Sequence, residues 1–439
     1  MHLALLGGKK LRTKFFPPQK TIGKEEKEAV IDFLNDIEDT GNILSGYRGN
    51  WIPQFWGGTK VQELEKAVEG YLNAPDDAEV YALAVNSATS GLQIACGAIG
   101  IVPGDEVIVT PWSMSCSATA PMLYGGVPVF ADIEADHFCL DLAAIEAKIT
   151  NKTKAIIIVD LFGQPYDVEK INAIAKKHGL IIIEDAAQAI GSTYKSCDAG
   201  TLGDIGVFSF TQGKHLTAGE GGMLVTKDHD LYMKMALIRN HAEAVISAMP
   251  DEVQIEYYWQ PNMIGFNMRM TEIQAVIVKE QLKKIYDTGD YIEYRQQNAN
   301  DIMQGLADLP MIWRAKVRKE CTHSYYVLPF FYDETKMDIP IPRDLFMRAV
   351  RAELSEELGR IDRGVPIGCG YITPLYDLPL FAARVFDRED YPVVEELHRM
   401  DFCLTLYHAL DLKESDIADI VNAFHKVYKY REELLNYGV

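Results

Sequence analysis

The sequence of 439 residues contains no apolar run that approaches the roughly 18 consecutive residues of a membrane-spanning helix. Its first apolar stretch covers only about seven residues, and basic residues follow this stretch, whereas they precede it in a signal peptide. Low-complexity tracts and internal repeats are also absent. These absences predict a cytoplasmic protein without a membrane partner.

Cysteine is infrequent and scattered. The seven cysteines form no CxxC pair and no metal-ligand spacing, and their number is odd. Such cysteines are typical of reduced thiols in a cytosolic enzyme, so we expect neither a disulfide framework nor a metal site.

Basic residues are outnumbered, because 43 Lys and Arg face 63 Asp and Glu, which leaves a net charge of −20. This deficit argues against nucleic acid or an anionic membrane surface as the main partner, since both attract basic proteins. A phosphorylated substrate is not excluded, because the local potential of a site can differ in sign from the net charge.

Apolar residues make up 48% of the chain, which is enough for a large core. Strand-like and helix-like segments alternate between about residues 81 and 227. The predicted strands are Glu106–Thr110, Val127–Ala131, Ala155–Val159, Leu180–Glu184 and Ile205–Phe210, and the predicted helices between them include Leu142–Ile149 and Val168–Lys177. This pattern predicts an α/β fold with a largely parallel sheet and helices on both of its faces.

A smaller α+β domain is predicted at the C-terminal end. Residues Met270–Tyr294 show helical spacing of apolar residues and no proline, so we expect one long helix that links the two domains. The small domain is predicted to contain a strand at Ser324–Tyr332 and helices at Leu345–Glu357 and Ser415–Leu435. The predicted division is an N-terminal segment (1–60), a large domain (61–270), and the linker helix with the small domain (271–439).

One lysine has unusual surroundings. An apolar run ends at Phe210, and Lys214 follows in the polar, glycine-rich segment SFTQGKHLTAGEGG, residues 209–222. A lysine amine can form a Schiff base with a carbonyl compound, and pyridoxal phosphate is the common protein-bound aldehyde. A loop lysine is more often a solvated surface residue, so this segment alone decides nothing.

A strand with two carboxylates at its end precedes the lysine, in the segment LIIIEDAAQ, residues 180–188. Ligands of open α/β sheets bind at the carboxyl ends of the strands, where a carboxylate can keep a pyridine nitrogen protonated. The alternative is that Glu184 or Asp185 caps a following helix. The combination with the lysine segment favours the cofactor role.

A third segment, YALAVNSATSGL at residues 81–92, is typical of a strand, a loop of small hydroxylated residues and the start of a helix. Free backbone N–H groups and the positive end of the helix dipole suit such a position to a phosphate group, and Ser87 and Thr89 could add hydroxyl donors. An ordinary Ser or Thr N-cap is the alternative.

Together these segments resemble the DegT/DnrJ/EryC1/StrS family of pyridoxal-phosphate-dependent aminotransferases. The resemblance covers roughly Gly7 to Tyr428 and includes GIVPGDEVIV (100–109), GTLGDIGVFSF (200–210) and GFNMRMTEIQA (265–275). It implies an aspartate-aminotransferase-like fold of type I, with a large, mainly parallel seven-stranded type of sheet domain and a smaller C-terminal domain. It also implies pyridoxal 5'-phosphate as the cofactor.

The resemblance assigns three residues to the chemistry. Lys214 would bind the cofactor aldehyde covalently and later move a proton between cofactor and substrate, Asp185 would hold the pyridine nitrogen, and Gln188 would contact the phenolic oxygen. A small group of relatives carries histidine in place of the lysine and removes a hydroxyl group instead. Here the histidine, His215, lies one position beyond Lys214, so transamination is favoured and His215 is expected to be a packing or hydrogen-bonding neighbour.

The resemblance also assigns the phosphate site and a partner. Ser209 would bind the phosphate together with the backbone amides of Ala88 and Thr89. Asn267 resembles the asparagine that reaches this phosphate from the neighbouring subunit, which implies a homodimer with shared active sites. A turn-forming asparagine would be the favoured interpretation if the other segments were absent.

One position departs from the family pattern. Relatives place an aromatic side chain on the face of the pyridoxal ring, and the aligned residue here is Met114. A polarizable thioether can lie against a π-face, and Trp112 is the alternative stacking residue. We favour Met114.

The sequence says least about the substrate. The family most often aminates nucleotide-linked keto-sugars with glutamate as the donor, whereas TQGKHLTAGEGG (211–222) resembles a branch that includes glutamine-dependent aminotransferases of keto-cyclitols. A pyridoxal-phosphate-dependent sugar dehydratase is a weaker alternative. The segment Ala242–Asn262 is either a loop over the active-site mouth or a plain surface insertion.

Five further residues occur in segments that line the substrate side in relatives, namely Tyr47, Arg48, His323, Tyr325 and Tyr371. Aromatic residues are common in cores, so each is more often a packing residue than a ligand contact.

Overall fold

The computed structural model describes residues 2–17, 21–40, 57–242, 263–354, 367–381, 386–405 and 412–437. Tyr47, Arg48 and the predicted mouth loop beyond Ala242 lie outside the described residues. Among the helices of these ranges, none is both long and apolar enough to cross a membrane.

The described strands are β1 (Tyr81–Val85), β2 (Glu106–Val109), β3 (Val127–Phe130), β4 (Thr153–Val159), β5 (Ile181–Asp185), β6 (Thr193–Tyr194), β7 (Cys197–Asp198), β8 (Ile205–Ser209), β9 (Gly222–Thr226), β10 (Ile312–Arg314), β11 (Leu328–Tyr332), β12 (Ile367–Cys369) and β13 (Phe402–Thr405).

The described α-helices are α1 (Lys24–Thr40), α2 (Thr59–Tyr71), α3 (Ala88–Ala98), α4 (Ser115–Thr119), α5 (Leu142–Lys148), α6 (Val168–His178), α7 (His229–Arg239), α8 (Glu272–Tyr286), α9 (Asp290–Gly305), α10 (Arg343–Glu353), α11 (Pro392–Glu396) and α12 (Glu414–Lys429).

Seven strands form the large sheet, in the order β1-β9-β8-β5-β4-β2-β3. Strands β8, β5, β4, β2 and β3 pair in parallel, whereas β9 is antiparallel to both β1 and β8. The α/β fold with a mainly parallel sheet is therefore confirmed. Strand β9 departs from the parallel pattern because the loop 210–221 contains no crossover helix, so the chain returns beside β8 in the opposite direction.

Both faces of the large sheet are covered. Ile157 of β4 belongs to the apolar cluster that contains Leu92 of α3, whereas its neighbour Ile156 belongs to the cluster on the opposite face, with Ile171 of α6. Burial on both faces explains why these strands are continuous apolar runs instead of alternating ones. Helix α3 packs very closely, since a Cβ at Gly91 would lie 2.9 Å from a methyl carbon of Val207.

A second sheet lies in the C-terminal part, with the antiparallel order β10-β11-β13-β12. Its apolar cluster includes Ile302 of α9, Phe346 of α10 and Phe424 of α12, so three helices cover it. This arrangement agrees with the predicted smaller α+β unit.

The predicted single helix Met270–Tyr294 is wrong, because the chain forms two helices there, α8 and α9. Gly289 lies between them with φ +72°, a left-handed conformation that a right-handed helix cannot continue through. The start of α8 is well defined, since Thr271 and Gln274 form a capping box.

The N-terminal residues contact two different regions. Arg12 forms ion pairs with Asp416 at 2.7 Å and Asp419 at 2.8 Å, which attaches residues 2–17 to α12. Helix α1 instead packs on α8, where Glu26 pairs with Lys284. The division of the chain at residues 60 and 270 stays a prediction.

Candidate active site

Lys214 lies in the loop 210–221 that connects the end of β8 to β9. Gly213, directly before it, has φ +90°, so the tight turn at this point favours glycine. The Nζ of Lys214 lies 4.4 Å from the centre of the Tyr326 ring. The amine is therefore held at the carboxyl end of the sheet against an aromatic face.

His215 anchors the lysine loop from the inside. Its carbonyl accepts a hydrogen bond from the Tyr291 hydroxyl at 2.7 Å, and its ring Nε2 lies 3.1 Å from the carbonyl oxygen of Ser324. A carbonyl oxygen only accepts, so Nε2 carries the hydrogen. Burial, followed by the charge of Arg295, lowers the pKa of His215 well below its usual value, so the ring is neutral. His215 is thus next to Lys214 in sequence and hydrogen-bonded to Tyr291 and Ser324, which agrees with the predicted packing or hydrogen-bonding role.

Asp185 is buried at the carboxyl end of β5. Ser117 donates its hydroxyl hydrogen to Oδ2 at 2.8 Å, and the N–H of Ala187 donates to Oδ1 at 3.2 Å. Burial raises the pKa of Asp185, while the Ser117 hydrogen bond and the charge of Lys214 lower it. Because β5 pairs in parallel with β8, Asp185 at the end of β5 and Lys214 in the loop after β8 lie at the same edge of the sheet.

Glu184 has a different task, although it is the adjacent residue. Its carboxylate accepts backbone N–H bonds from Gly200 at 2.6 Å, Leu202 at 2.9 Å and Gly203 at 3.0 Å, which fixes the loop before β8. A turn, not a helix, follows β5, so neither carboxylate is a helix cap. Because successive strand residues face opposite sides, only Asp185 is left for the site.

Gln188 is buried one turn beyond Asp185. Its Oε1 accepts a hydrogen bond from the N–H of Phe162 at 2.9 Å, and its Nε2 donates to the hydroxyl of Tyr371 at 3.1 Å. The predicted residue therefore connects the end of β4 with the segment after β12.

The predicted phosphate residues Ser209, Ala88 and Thr89 lie close together, because β9 joins the ends of β8 and β1 in the sheet. Gly222 of β9 pairs with Ser209 of β8 on one side and with Val85 of β1 on the other, and Val85 directly precedes the loop to α3. A Cβ at Gly222 would lie 2.6 Å from the backbone nitrogen of Ala88, so the start of α3 abuts this strand.

The first turn of α3 contains the predicted phosphate residues Ala88 and Thr89. The Ser87 side chain accepts a hydrogen bond from the N–H of Ser90 at 3.1 Å and caps the helix, so the N-cap interpretation is also correct. The amides of Ala88 and Thr89, at the first two helical positions, have no acceptor within the helix. The Ser87 cap therefore leaves these two backbone N–H groups available to an anion.

Met114 and Trp112 differ sharply in exposure. The Met114 side chain is 53% exposed, whereas Trp112 is fully buried and its Nε1–H donates to the carbonyl of Ile372 at 3.2 Å. The indole also packs edge-to-face against Phe162 and Tyr371. Trp112 could reach a ligand only by leaving the core and breaking this hydrogen bond, so Met114 is the better placed of the two.

Asn267 is exposed, and it forms a β-bridge with Asn240 next to α7. The following residue, Met268, accepts the N–H of Asn86 through its carbonyl at 2.9 Å, which places this segment beside the loop before α3. Asn267 thus lies at the surface near the first turn of α3, without a described contact to Lys214 or Asp185 of its own chain.

Comparison with known proteins identifies the family. The model of the DegT/DnrJ/EryC1/StrS aminotransferase family matches residues 36–425. The chain belongs to this family. It is a pyridoxal-phosphate-dependent aminotransferase with the type I fold, as the sequence predicts.

Several relatives show the breadth of the family. A GDP-perosamine synthase of Caulobacter vibrioides is 42% identical over 250 residues, which cover 57% of this chain and 63% of that protein. An L-glutamine:2-deoxy-scyllo-inosose aminotransferase of Streptomyces fradiae is 30% identical over 438 residues, 98% of this chain and 99% of that protein. The crystal structure of DesI in the presence of its TDP-sugar product has a TM-score of 0.78 at 26% identity, over 99% of this chain and 98% of that one.

The predicted substrate-side residues fall into two groups. Tyr371 lies in the site of this aminotransferase, through its hydrogen bond to Gln188. His323 and Tyr325 are buried and stacked on each other at 4.0 Å between ring centroids, and the Tyr325 hydroxyl accepts a hydrogen bond from Arg314. These two residues therefore pack against the protein interior.

Sequence reasoning misses two residues of the site. Ser117 orients Asp185, and Tyr326 covers Lys214, yet neither stands in one of the three motifs. Ser117 occurs in the run SMSCSA, residues 113–118, where small hydroxylated residues directly after a strand were a usable signal. Tyr326 had no such signal, because it occurs in an aromatic-rich segment that is typical of a strand.

Proposed function

We propose that the protein transfers an amino group from glutamate or glutamine to the carbonyl carbon of a keto-sugar, with a nucleotide-linked keto-sugar favoured. The observation that carries the proposal is the position of Lys214, in the loop after β8, beside the neighbouring strand β5 that ends in the buried carboxyl group of Asp185. An amine and a buried acid at the same edge of the sheet match the two groups that pyridoxal chemistry requires from the protein.

The residues fit the cofactor, which supplies an electron sink for a substrate carbanion when it is bound. We assign Asp185 to the pyridine nitrogen, because Ser117 and the Ala187 amide already fix its carboxylate. We assign Lys214 to the covalent bond and to proton transfer at the substrate carbon. The Tyr326 ring would orient the Lys214 side chain when its amine is free.

The phosphate and the ring face have their own residues in this proposal. Ser209 and the first-turn amides of Ala88 and Thr89 would bind the phosphate, since a helix N-terminus favours an anion. Met114 would lie on the face of the ring, because its exposed side chain directly precedes α4, the helix whose Ser117 contacts Asp185. A thioether is suited to an aromatic face by its polarizability.

A nucleotide-linked keto-sugar is supported by the GDP-perosamine synthase and by the TDP-sugar product named for DesI. A keto-cyclitol with glutamine as donor is the second candidate. The scyllo-inosose aminotransferase favours it, because the match extends over 98% of this chain. A sugar dehydratase activity has less support. Lys214 occupies the position where that group of relatives has histidine, and the adjacent His215 is buried.

We also propose a homodimer in which Asn267 of one subunit reaches the phosphate site of the other. Exposure of Asn267 beside the loop before α3 supports this assignment. We place the protein in the cytoplasm, because the cysteines among the described side chains are unpaired thiols.

The test is the donor half-reaction. Protein loaded with pyridoxal phosphate is mixed with L-glutamate or L-glutamine, and the absorbance of the bound cofactor is followed. We expect conversion to the pyridoxamine form, with the faster donor indicating a nucleotide-linked sugar (glutamate) or a cyclitol (glutamine). Loss of a hydroxyl from an offered sugar without conversion by either donor would contradict the proposal.

Two lysine variants control the test. Lys214→Ala should slow conversion by about 10³-fold or more, because the residue that moves the proton is gone. Lys154→Ala, which removes an exposed lysine on β4, should convert at the wild-type rate. Equal rates in both variants would exclude Lys214 as the catalytic lysine.

A further inference from the structure

The hydroxyl group of Tyr371 ends a chain of hydrogen bonds whose directions the structure determines. The chain begins at the backbone of Phe162, passes through Gln188 and ends at Tyr371. The direction of the Tyr371 hydroxyl hydrogen determines which ligand atom it can bind. This inference rests on the proposed function, because it assumes that a cofactor and substrates bind beside Gln188.

Phe162 starts the chain from a fixed position. Its backbone has φ +64° and ψ −5°, a left-handed conformation that a residue with a side chain adopts only when its surroundings impose it. Its fully buried ring packs edge-to-face against Trp112 and Tyr371, at 6.0 and 5.0 Å between centroids. Gly163 follows with φ +111°, and a Cβ there would lie 3.0 Å from the carbonyl oxygen of Gln188. The turn can therefore shift little.

The amide of Gln188 has one possible orientation. The N–H of Phe162 only donates, so the atom 2.9 Å away must be the side-chain oxygen, Oε1. The side-chain nitrogen, Nε2, then points the other way and donates one hydrogen to the Tyr371 oxygen at 3.1 Å. The second Nε2 hydrogen has no acceptor within the part of the chain that the structure describes.

The Tyr371 oxygen is an acceptor in this bond, so its own hydrogen points elsewhere. The ring is held edge-on against Trp112 at 5.8 Å, which fixes the hydroxyl position. Burial, followed by the nearby Tyr326, raises the pKa of Tyr371, while Asp185 and Cys116 lie close enough to contribute. The hydroxyl thus stays protonated among site residues, and no described residue accepts its hydrogen.

We propose that Tyr371 donates its hydroxyl hydrogen to an oxygen atom of the bound ligand, beside the free N–H of Gln188. Two donors without an acceptor between them select an oxygen that only accepts, such as a phenolate or a carboxylate. The oxygen has two sources, the ring oxygen of the cofactor and an oxygen of the amino donor or the keto-sugar. Tyr371 is therefore a ligand-contacting residue as well as a partner of Gln188.

The experiment compares Tyr371→Phe with Tyr376→Phe in the full-length, cofactor-loaded protein. Phenylalanine at 371 keeps the ring contacts with Trp112 and removes only the hydroxyl. Tyr376 is a matched control, because its hydroxyl donates to Glu395 at 2.5 Å and its ring stacks on Tyr391, both outside the site. Melting temperatures of both variants verify that they fold.

Three measurements separate the two sources. The dissociation constant of pyridoxal phosphate and the pH dependence of its bound absorbance are measured without substrates, and KM and kcat are then measured for donor and acceptor. If the cofactor oxygen is the acceptor, Tyr371→Phe weakens cofactor binding about tenfold and shifts the absorbance midpoint by about one pH unit. If a substrate oxygen is the acceptor, the absorbance is unchanged and KM for one substrate rises about tenfold.

Wild-type values in all three measurements for Tyr371→Phe, or equal changes in Tyr376→Phe, would overturn the proposal. Failure of the proposed function gives a different result, because the wild-type protein would then bind no pyridoxal phosphate or would not convert it with either donor.

Discussion

His323 makes the stability of the protein depend on pH. The side chain is buried, and its Nδ1 accepts the N–H of Tyr325 at 2.9 Å. Burial, followed by the charge of Arg314, lowers its pKa from 6.5 to about 3. Between pH 3 and 6.5 the unfolded chain therefore binds a proton at His323 that the folded protein does not bind. The contribution of His323 to the free energy of unfolding is fully present above pH 6.5 and is lost as the pH falls from 6.5 towards 3. We expect a loss of about 2.5 kcal/mol between pH 7 and pH 4.5 from this residue.

Urea unfolding at several pH values checks this expectation. In His323→Asn, the amide oxygen can still accept the Tyr325 N–H but cannot be protonated, so its unfolding free energy should fall less steeply below pH 6.5. His178→Asn is the control, because His178 is exposed at the end of α6. A wild-type slope in His323→Asn would show that His323 does not cause the dependence.

Some residues of the site can be predicted from the sequence and others cannot. Lys214 and Asp185 stand out in the sequence, because an amine in a glycine-rich loop and a carboxylate at a strand end are rare there and chemically specific. Their supports do not stand out. Ser117 lies 68 residues before Asp185, and only the packing of α4 beside β5 brings them to 2.8 Å. Which of Glu184 and Asp185 faces the site also follows from the tertiary fold.

At the scale of elements, the conformation of Gly289 decides where α8 ends and α9 begins. Its φ is +72°, and a Cβ there would meet no atom within 4 Å, so the backbone angle alone disfavours other residues. We expect Gly289→Ala to lower the free energy of unfolding by about 1–2 kcal/mol. Urea unfolding measures this change.

Gly70 is the matched control for this substitution. It is exposed near the end of α2, and a Cβ there would also meet no atom, but its backbone is helical. Gly70→Ala should therefore raise the free energy of unfolding by about 0.5–1 kcal/mol. Changes of the same sign in both variants would contradict the argument from the backbone angle.

Strands and helices could be predicted where their burial appears as a pattern within the segment itself. The central strands are runs of aliphatic residues because both of their faces are buried, and the sequence shows them directly. The antiparallel direction of β9 could not be predicted from the sequence. Strand β9 pairs with strands that lie 13 or more residues away, and the choice of partner leaves no periodic pattern in the sequence. The break at Gly289 was missed because apolar residues keep helical spacing on both sides of it.

At the scale of the whole molecule, the proposed homodimer makes each active site depend on two subunits. Lys214 lies against Tyr326 of its own subunit, whereas Asn267 is exposed at the surface beside the loop before α3. If Asn267 acts in the neighbouring site, the defects of Lys214→Ala and Asn267→Ala can be separated by combining the two variants in one dimer. We expect each variant alone to be impaired at limiting cofactor concentration.

Co-expression of the two variants, each with its own affinity tag, tests this arrangement. In a hybrid dimer, one site receives both substitutions, and the other combines the native Lys214 of one subunit with the native Asn267 of its partner. Random assembly makes about half of the dimers hybrid, so the mixture should recover about a quarter of wild-type activity, and the purified hybrid about half. If Asn267 instead acts within its own subunit, every hybrid site carries one defect, and the hybrid is no more active than the average of its parents. Recovery of activity therefore requires a site that two copies of the chain build together.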